Sequence, residues 1–340
     1  MTAAGGAESR IECRQCSGDA LDKLGAIPLA RLFAGQLLDP PWNGGSLYLC
    51  RRCHLGFRHP IRSEAEYERL YERAAETVWV SSELRADQRL VLSAIESACA
   101  TAGKVLDVGC YDGSLLARLG PRFSKYGVEA SAAAARKAEH NGVEIVGTRI
   151  RDLESVTGRF EVVCAVDVIE HVSHPRAFIA SLAGRLSDGG TLIISTGNME
   201  TPAWRWAGGR YWYCGFPEHL SFISPAWAHA AAAKLNLEVV GLHRFAYGGV
   251  GGSVSRLRRR CSYYRKLGQV KLSDAVRARL PRAFASGACE RSHGQPGLFA
   301  DHVMITLRHR VVQQHSTAMP SEPAVPPPSS PKIDSRMNGT

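Results

Sequence analysis

Three groups of residues combine side chains and spacings suited to chemistry. The first is Val105-Leu-Asp-Val-Gly-Cys-Tyr-Asp-Gly-Ser-Leu-Leu116, an apolar run that breaks into a Gly-rich turn at Gly109 to Gly113 and resumes with helical spacing at Leu115, Leu116 and Leu119. A strand feeding a helix through small residues lets the polar atoms of a ligand approach backbone N–H groups at the helix start. Glu129 closes the next apolar run, Tyr126-Gly-Val-Glu129, 16 residues past Gly113, where a carboxylate accepts from ribose hydroxyls. The glycines do not fit the G-x-G-x-x-G spacing of nicotinamide-binding loops, and an ordinary βα turn capped by Ser114 would explain part of the pattern.

The second group is a pair of knuckles, Cys13-Arg-Gln-Cys16 and Cys50-Arg-Arg-Cys53. Each places two sulfurs on one tight turn, and together they complete a tetrahedral S₄ set suited to a structural Zn²⁺, leaving no open position for catalysis. A redox dithiol is the alternative. The 33 residues between the pairs exceed the usual spacing, so this loop should carry structure of its own, supplied by Leu21 to Phe33 and Leu47 to Leu49.

The third group is Tyr211-Trp-Tyr-Cys-Gly-Phe-Pro-Glu-His-Leu-Ser-Phe-Ile-Ser224, which mixes aromatics with Glu218 and His219. Histidine titrates near neutrality and is a natural general base, so His219 is the candidate base, with Glu218 or a nearby carboxylate orienting it. A histidine packed beside the core is the competing reading.

The elements that must position these groups follow from periodicity. From residue 104 the chain alternates strand and helix patterns. Strands are expected at 104–109, 124–129, 143–147, 160–167, 190–196, 237–245 and 301–309, with helices at Ala132–Asn141 and Arg176–Leu186 among those between. Residues 61–100 read as two amphipathic linker helices flanking Val78-Trp-Val-Ser-Ser82, a segment able to cover a cleft. Residues 1–10 and the Pro- and Ser-rich tail 312–340 read as disordered.

At 340 residues the chain can hold one large α/β domain and a small module, and 45% hydrophobic with 22% charged residues is an ordinary globular balance. No apolar run approaches the ~18 residues of a membrane span, and the N-terminus lacks the apolar core of a signal peptide, so the cytoplasm is the expected compartment. The net charge of +10 is concentrated: between Arg256 and Arg282 lie ten basic residues and only one acid, Asp274. The excess belongs to an insertion at 248–300 and is not a general nucleic-acid footprint.

The Asp107, Gly109, Gly113 and Glu129 pattern resembles the class I S-adenosylmethionine (SAM) dependent methyltransferases. That resemblance implies an α/β, Rossmann-like seven-stranded sheet over 101–311, joined to the four-cysteine zinc module at 11–60. It implies cofactor contacts from Asp107, Gly109, Cys110, Gly113 and Glu129, and from Asp152 near the adenine amine. The run Ala165-Val-Asp-Val-Ile-Glu-His-Val172 is similar to that of methyltransferases related to the ubiquinone-biosynthesis enzymes, which places Asp167 and Val168 beside the methionine half. For Glu170 and His171, direct contact and loop structure are both open.

A further resemblance is to sugar C-methyltransferases acting on nucleotide-linked deoxyketosugars, which begin with a four-cysteine zinc module. Leu24-Gly-Ala-Ile-Pro-Leu-Ala30, Trp79-Val-Ser-Ser82, Gly127-Val-Glu-Ala-Ser131 and Glu218-His-Leu-Ser-Phe-Ile-Ser224 match phrases of that family, whose histidine in the last phrase is the proposed base. Phe216 stands where that family has a tyrosine, and its large C-terminal domain is replaced by the basic insertion. The expected activity is methyl transfer to a small molecule, a sugar or polysaccharide precursor such as a nucleotide-linked sugar. Alternatives are a nucleic-acid methyltransferase, against which the absence of Asn-Pro-Pro-Tyr and Pro-Cys motifs speaks, and a non-catalytic SAM-fold protein with peripheral membrane contact through 256–282.

Overall fold

A computed structural model of the chain describes residues 10–72, 84–246, 257–265, 268 and 299–310. Val78 to Ser82, most of the basic insertion and the tail from 312 lie outside the described residues. Between the two cysteine knuckles run β1 (Leu21–Ala26), the hairpin β2 (Ala30–Phe33) and β3 (Gln36–Trp42), and β4 (Ser46–Cys50), followed by β5 (Gly56–His59). The long inter-knuckle loop therefore carries the structure its length required. The next helix, α1 (Glu64–Glu72), is not a free linker: Tyr67 packs against Phe33 and Trp42 at ring-centroid distances of 6.0 Å each. After it, α2 (Ala86–Ala98) buries Val91 and Ile95, one helical turn apart, against the main sheet.

That sheet is built from β6 (Gly103–Val108), β7 (Phe123–Val128), β8 (Glu144–Gly147), β9 (Phe160–Val166) and β10 (Leu186–Gly197). Between them lie α3 (Ser114–Ala117), α4 (Ala132–His140) and α5 (Pro175–Ala183). Beyond β10 come α6 (Pro202–Ala207), β11 (Ser221–Phe222), α7 (Pro225–Lys234), β12 (Leu237–Phe245) and β13 (His302–His309). The order β12-β13-β10-β9-β6-β7-β8 has β13 antiparallel to both neighbours and the central strands parallel. This is the seven-stranded α/β sheet expected from the sequence. Strand order reverses between β6 and β9, and ligands of open α/β sheets bind in the crevice at such a switch point, outside the carboxyl ends of the strands.

Two local expectations are corrected. The fifth strand starts at Leu186, inside the expected helix, because Leu186 already pairs with Phe160. The ladder then slips and resumes at Thr191, so Gly189 and Gly190 form an irregularity within β10 and do not precede it. Ser114 is the first helical residue of α3; the side chain that serves its backbone N–H is Asp112, at 3.0 Å. The N-terminal module is also less separate than its sequence boundaries suggest. β11 pairs with β5 through Ser221↔Phe57 and Phe222↔Gly56, completing the sheet β1-β4-β5-β11.

Candidate functional site

At the carboxyl end of β6 the backbone turns sharply. Gly109 (φ +80°) and Gly113 (φ +72°) are left-handed, and a Cβ on Gly109 would lie 2.5 Å from Val168 Cγ2. Tyr111 between them has φ 49°, an uncommon conformation for a non-glycine residue. Gly109 N–H and Cys110 N–H donate to the Val128 carbonyl, Tyr111 N–H to Glu129 Oε2 at 2.9 Å, and Gly113 N–H to the Cys110 carbonyl. These donors fold the loop back on itself and on the end of β7. Glu129 also accepts from Ser131 N–H at 2.7 Å through Oε1, which fixes its carboxylate at the loop's edge. Burial raises the Glu129 pKa against the pull of these N–H groups.

Asp107 is buried and accepts from the Cys164 thiol at 3.4 Å. Burial lifts its carboxyl to about 7, with the thiol pulling the other way. Cys110 turns its sulfur toward β7, where a Cβ on Gly127 would come within 2.5 Å of it. Asp152 faces its own turn: Oδ2 accepts from Thr148 N–H, Arg149 N–H and the Thr148 hydroxyl, and these bonds hold its pKa below the usual carboxylate range.

The loop after β9 runs from the glycine turn after β6 to the Tyr211–Ser224 segment. Val168 packs on Gly109. Asp167, at φ 55°, accepts from Arg85 Nη2 at 3.0 Å through Oδ2, while its Oδ1 is buried with no described partner. Burial, helped by Glu170, raises the Asp167 carboxyl to about 7. Arg85 also holds the buried Asp87 at the start of α2. Glu170 accepts from the Tyr213 hydroxyl at 2.5 Å and the Thr196 hydroxyl at 2.9 Å. It is thus buried structure at the end of the sheet. His171 Nδ1 lies 2.8 Å from the Tyr71 hydroxyl and 3.2 Å from the Glu218 carbonyl, so α1 reaches the site as well.

His219 is buried, with its ring 5.0 Å from His171 and 4.2 Å from Tyr213. Its Nδ1 lies 2.9 Å from the Tyr213 carbonyl. A carbonyl only accepts, so Nδ1 carries the hydrogen and Nε2 keeps its lone pair in the neutral ring. Burial, then the neighbouring His171, pushes the His219 pKa well below its ordinary value, so the ring is neutral at pH 7. The orienting partner expected from the sequence was Glu218 or a nearby carboxylate; the group that meets Nδ1 is instead the Tyr213 carbonyl. Glu218 lies buried with Oε2 unpartnered among the described residues, and burial raises its pKa.

Away from the crevice, the four cysteines fit a tetrahedral metal. Cys13 and Cys53 sulfurs lie 3.6 Å apart, as do Cys16 and Cys50, and all four fall within 4.8 Å of one another. Zn–S bonds of about 2.3 Å in a tetrahedron require S···S separations of about 3.8 Å. The residue after each knuckle, Ser17 (φ 51°) and His54 (φ 60°), takes the same left-handed turn. Arg58, Tyr71, Arg85, Thr196 and Tyr213 all shape the site without having been singled out for it. Only Arg58 left a local signal, a lone cation in the apolar run Leu55-Gly-Phe-Arg58.

Comparison with known proteins gives a consistent picture. A family model described as a methyltransferase domain matches residues 80–242. The ubiquinone biosynthesis O-methyltransferase of Caulobacter sp. is 34% identical over 170 residues, covering 45% of this chain and 66% of that protein. The enzyme of the same name from Nitrosococcus oceani is 31% identical over 173 residues, covering 45% of this chain and 73% of that protein. Among solved structures, N-methyltransferase NodS from Bradyrhizobium japonicum in complex with S-adenosyl-L-homocysteine aligns at a TM-score of 0.43 and 13% identity, over 72% of this chain and 97% of that one.

Proposed function

The chain belongs to the class I SAM-dependent methyltransferases, and we propose that it methylates a hydroxyl of a small molecule, a sugar or polysaccharide precursor. The observation that carries the reading is the locked neutral tautomer of His219, at the carboxyl ends of the strands and joined to the cofactor turn through Val168, Glu170 and His171. When bound, SAM supplies an electrophilic methyl on a sulfonium. With the acceptor hydroxyl in line with that methyl, His219 Nε2 would take the hydroxyl proton as S-adenosyl-L-homocysteine is released. Asp107 and Asp167 are suited to hold the donor's ammonium group, since each is a shielded carboxyl whose ionised form a cation would favour. Asp167 Oδ1, buried and without a partner among the described residues, fits such a group. Glu129 serves the ribose and Asp152 the adenine edge. The four thiolates hold Zn²⁺ as structure.

The names of the sequence relatives support oxygen as the atom methylated. The basic segment supports an acceptor that carries phosphate. Tyr263, on the helical residues 257–265, packs in the same aromatic cluster as Tyr211 and Tyr213, and that helix exposes Arg258, Arg259 and Arg265. Guanidinium groups bind phosphate oxygens bidentately. No helix among the described residues is long and apolar enough to cross a membrane.

The test is to incubate the purified protein with methyl-labelled SAM and a panel of hydroxylated acceptors, nucleotide-linked sugars included. Release of S-adenosyl-L-homocysteine together with a methyl ether on one acceptor is expected. Label appearing on nitrogen, on carbon or on nucleic acid would replace this reading.

A further inference from the structure

Arg58 belongs to β5 of the four-cysteine module, yet its guanidinium is directed almost wholly at the acceptor segment. Nε donates to the His219 carbonyl at 3.0 Å, and Nη2 donates to the carbonyls of Cys214 and Phe216 at 2.6 and 2.8 Å. The remaining nitrogen, Nη1, donates to the Gly44 carbonyl at 2.8 Å, and the Arg58 backbone N–H donates to Leu220. The residue is 3% exposed, and among the described residues no carboxylate lies within ion-pair distance of it. A buried cation without a paired anion is costly unless its donors are satisfied. Here all three guanidinium nitrogens are, by carbonyls that no strand ladder serves.

The loop so gripped is short of structure of its own. From Tyr211 to His219 it contains the 3-10 turn Trp212–Gly215 and a proline, Pro217. It is the same loop in which the Tyr213 carbonyl receives the His219 Nδ1–H. Fixing the carbonyls of Cys214, Phe216 and His219 fixes both ends of that bond.

We infer that Arg58 is the positioning residue of the methyl-transfer site: its planar fork clamps the loop and thereby sets the tautomer and direction of the His219 ring. The four-cysteine module is then a working part of the acceptor site, since the strand after its second knuckle carries the clamp. The functional half of this inference rests on the reading of His219 as the base. Lysine cannot replace the fork, because one ammonium is a point charge and cannot reach the several carbonyls that the fork spans.

The experiment compares the full-length wild type with Arg58→Lys and Arg58→Met by ¹⁵N ring NMR of the histidines, with His219→Gln assigning the signal. The wild type is expected to show one neutral Nδ1–H form for His219. Both Arg58 variants should show a mixture of tautomers. Their kcat on the identified acceptor should fall by up to about 100-fold, the scale of a misplaced catalytic group. Affinity for S-adenosyl-L-homocysteine should stay within about twofold, about 0.4 kcal/mol, and metal content should be unchanged. A folded Arg58→Lys with an unaltered His219 signal overturns the inference. So does loss of cofactor and metal binding along with turnover, or unfolding of both variants, since either assigns Arg58 to the core alone. If the ring signal shifts but His219→Gln keeps full turnover, the clamp stands and the base reading fails.

Discussion

A histidine accepts a proton in a defined direction only when its own hydrogen is held on the other nitrogen. Its suitability as a base is legible in sequence; the group that holds it is a backbone carbonyl at Tyr213, and carbonyls carry no sequence signature. Glu218, the neighbour that sequence favours, is adjacent in the chain yet does not reach the ring nitrogen. His219→Ala should therefore lower kcat by about 10²- to 10⁴-fold with donor affinity nearly intact, whereas Glu218→Gln should leave the His219 tautomer unchanged. The depressed His219 pKa also fixes the pH profile. A base must be unprotonated, so kcat at saturating donor and acceptor should stay flat from pH 8 down through the ordinary histidine range and fall only in more acid solution. An acid limb centred at or above 6.5 would remove His219 from the role. The carboxyls must also be unprotonated but lose that form at higher pH: Asp107 and Asp167 sit at about 7 in the free protein and must ionise to take a cation. Calorimetry should show donor affinity weakening as pH falls below about 7, by roughly tenfold at pH 6 for one such group. Affinity independent of pH between 5.5 and 7.5 would show that neither carboxyl meets the donor's ammonium.

At the scale of elements, alternating apolar runs made the seven strands legible, with errors confined to their edges. The start of β10 was missed because Leu186 continues the helical spacing of α5, and only its pairing with Phe160 across the sheet decides the matter. The turn after β6 was legible because it needs glycine, whereas the bonds that Gly109, Cys110 and Tyr111 make back to Val128 and Glu129 carry no sequence signature. Gly109 makes that requirement testable. At φ +80° and with Val168 Cγ2 2.5 Å from a would-be Cβ, Gly109→Ala meets both backbone strain and a collision. Strain of this kind costs on the order of 1–3 kcal/mol. Thermal unfolding should show that loss, and cofactor affinity should fall with it because Val168 is pushed from the crevice. Relief would come from Val168→Ala in the same chain, and a double variant no more stable than Gly109→Ala would show that the collision is not the cause.

At the scale of the whole molecule, the sequence reads as a four-cysteine module followed by an α/β domain, and β11 pairing with β5 joins them. The junction was hidden because β5 and β11 meet across the chain, with Arg58 and His219 separated by 161 positions, and periodicity speaks only of near neighbours. The consequence concerns the metal. Metal analysis of the purified protein should give about one zinc per chain, and Cys50→Ser should lose it. Cys50 ends β4, its N–H donates to the Leu55 carbonyl, and the knuckle it closes turns the chain into β5. Structural zinc contributes on the order of 10 kcal/mol to the fold of small modules, so its loss should loosen β5 and, through Ser221↔Phe57, the strand that follows His219. The cofactor turn lies on β6 and β7, outside that sheet. Cys50→Ser should thus keep most of its affinity for S-adenosyl-L-homocysteine while losing methyl transfer, and hydrogen exchange should quicken at Ser221 and Phe222 but not at Val105 to Val108. Zinc retained in the variant would show that the ligand set is wrong, and unchanged turnover without zinc would show that the module does not support the acceptor site.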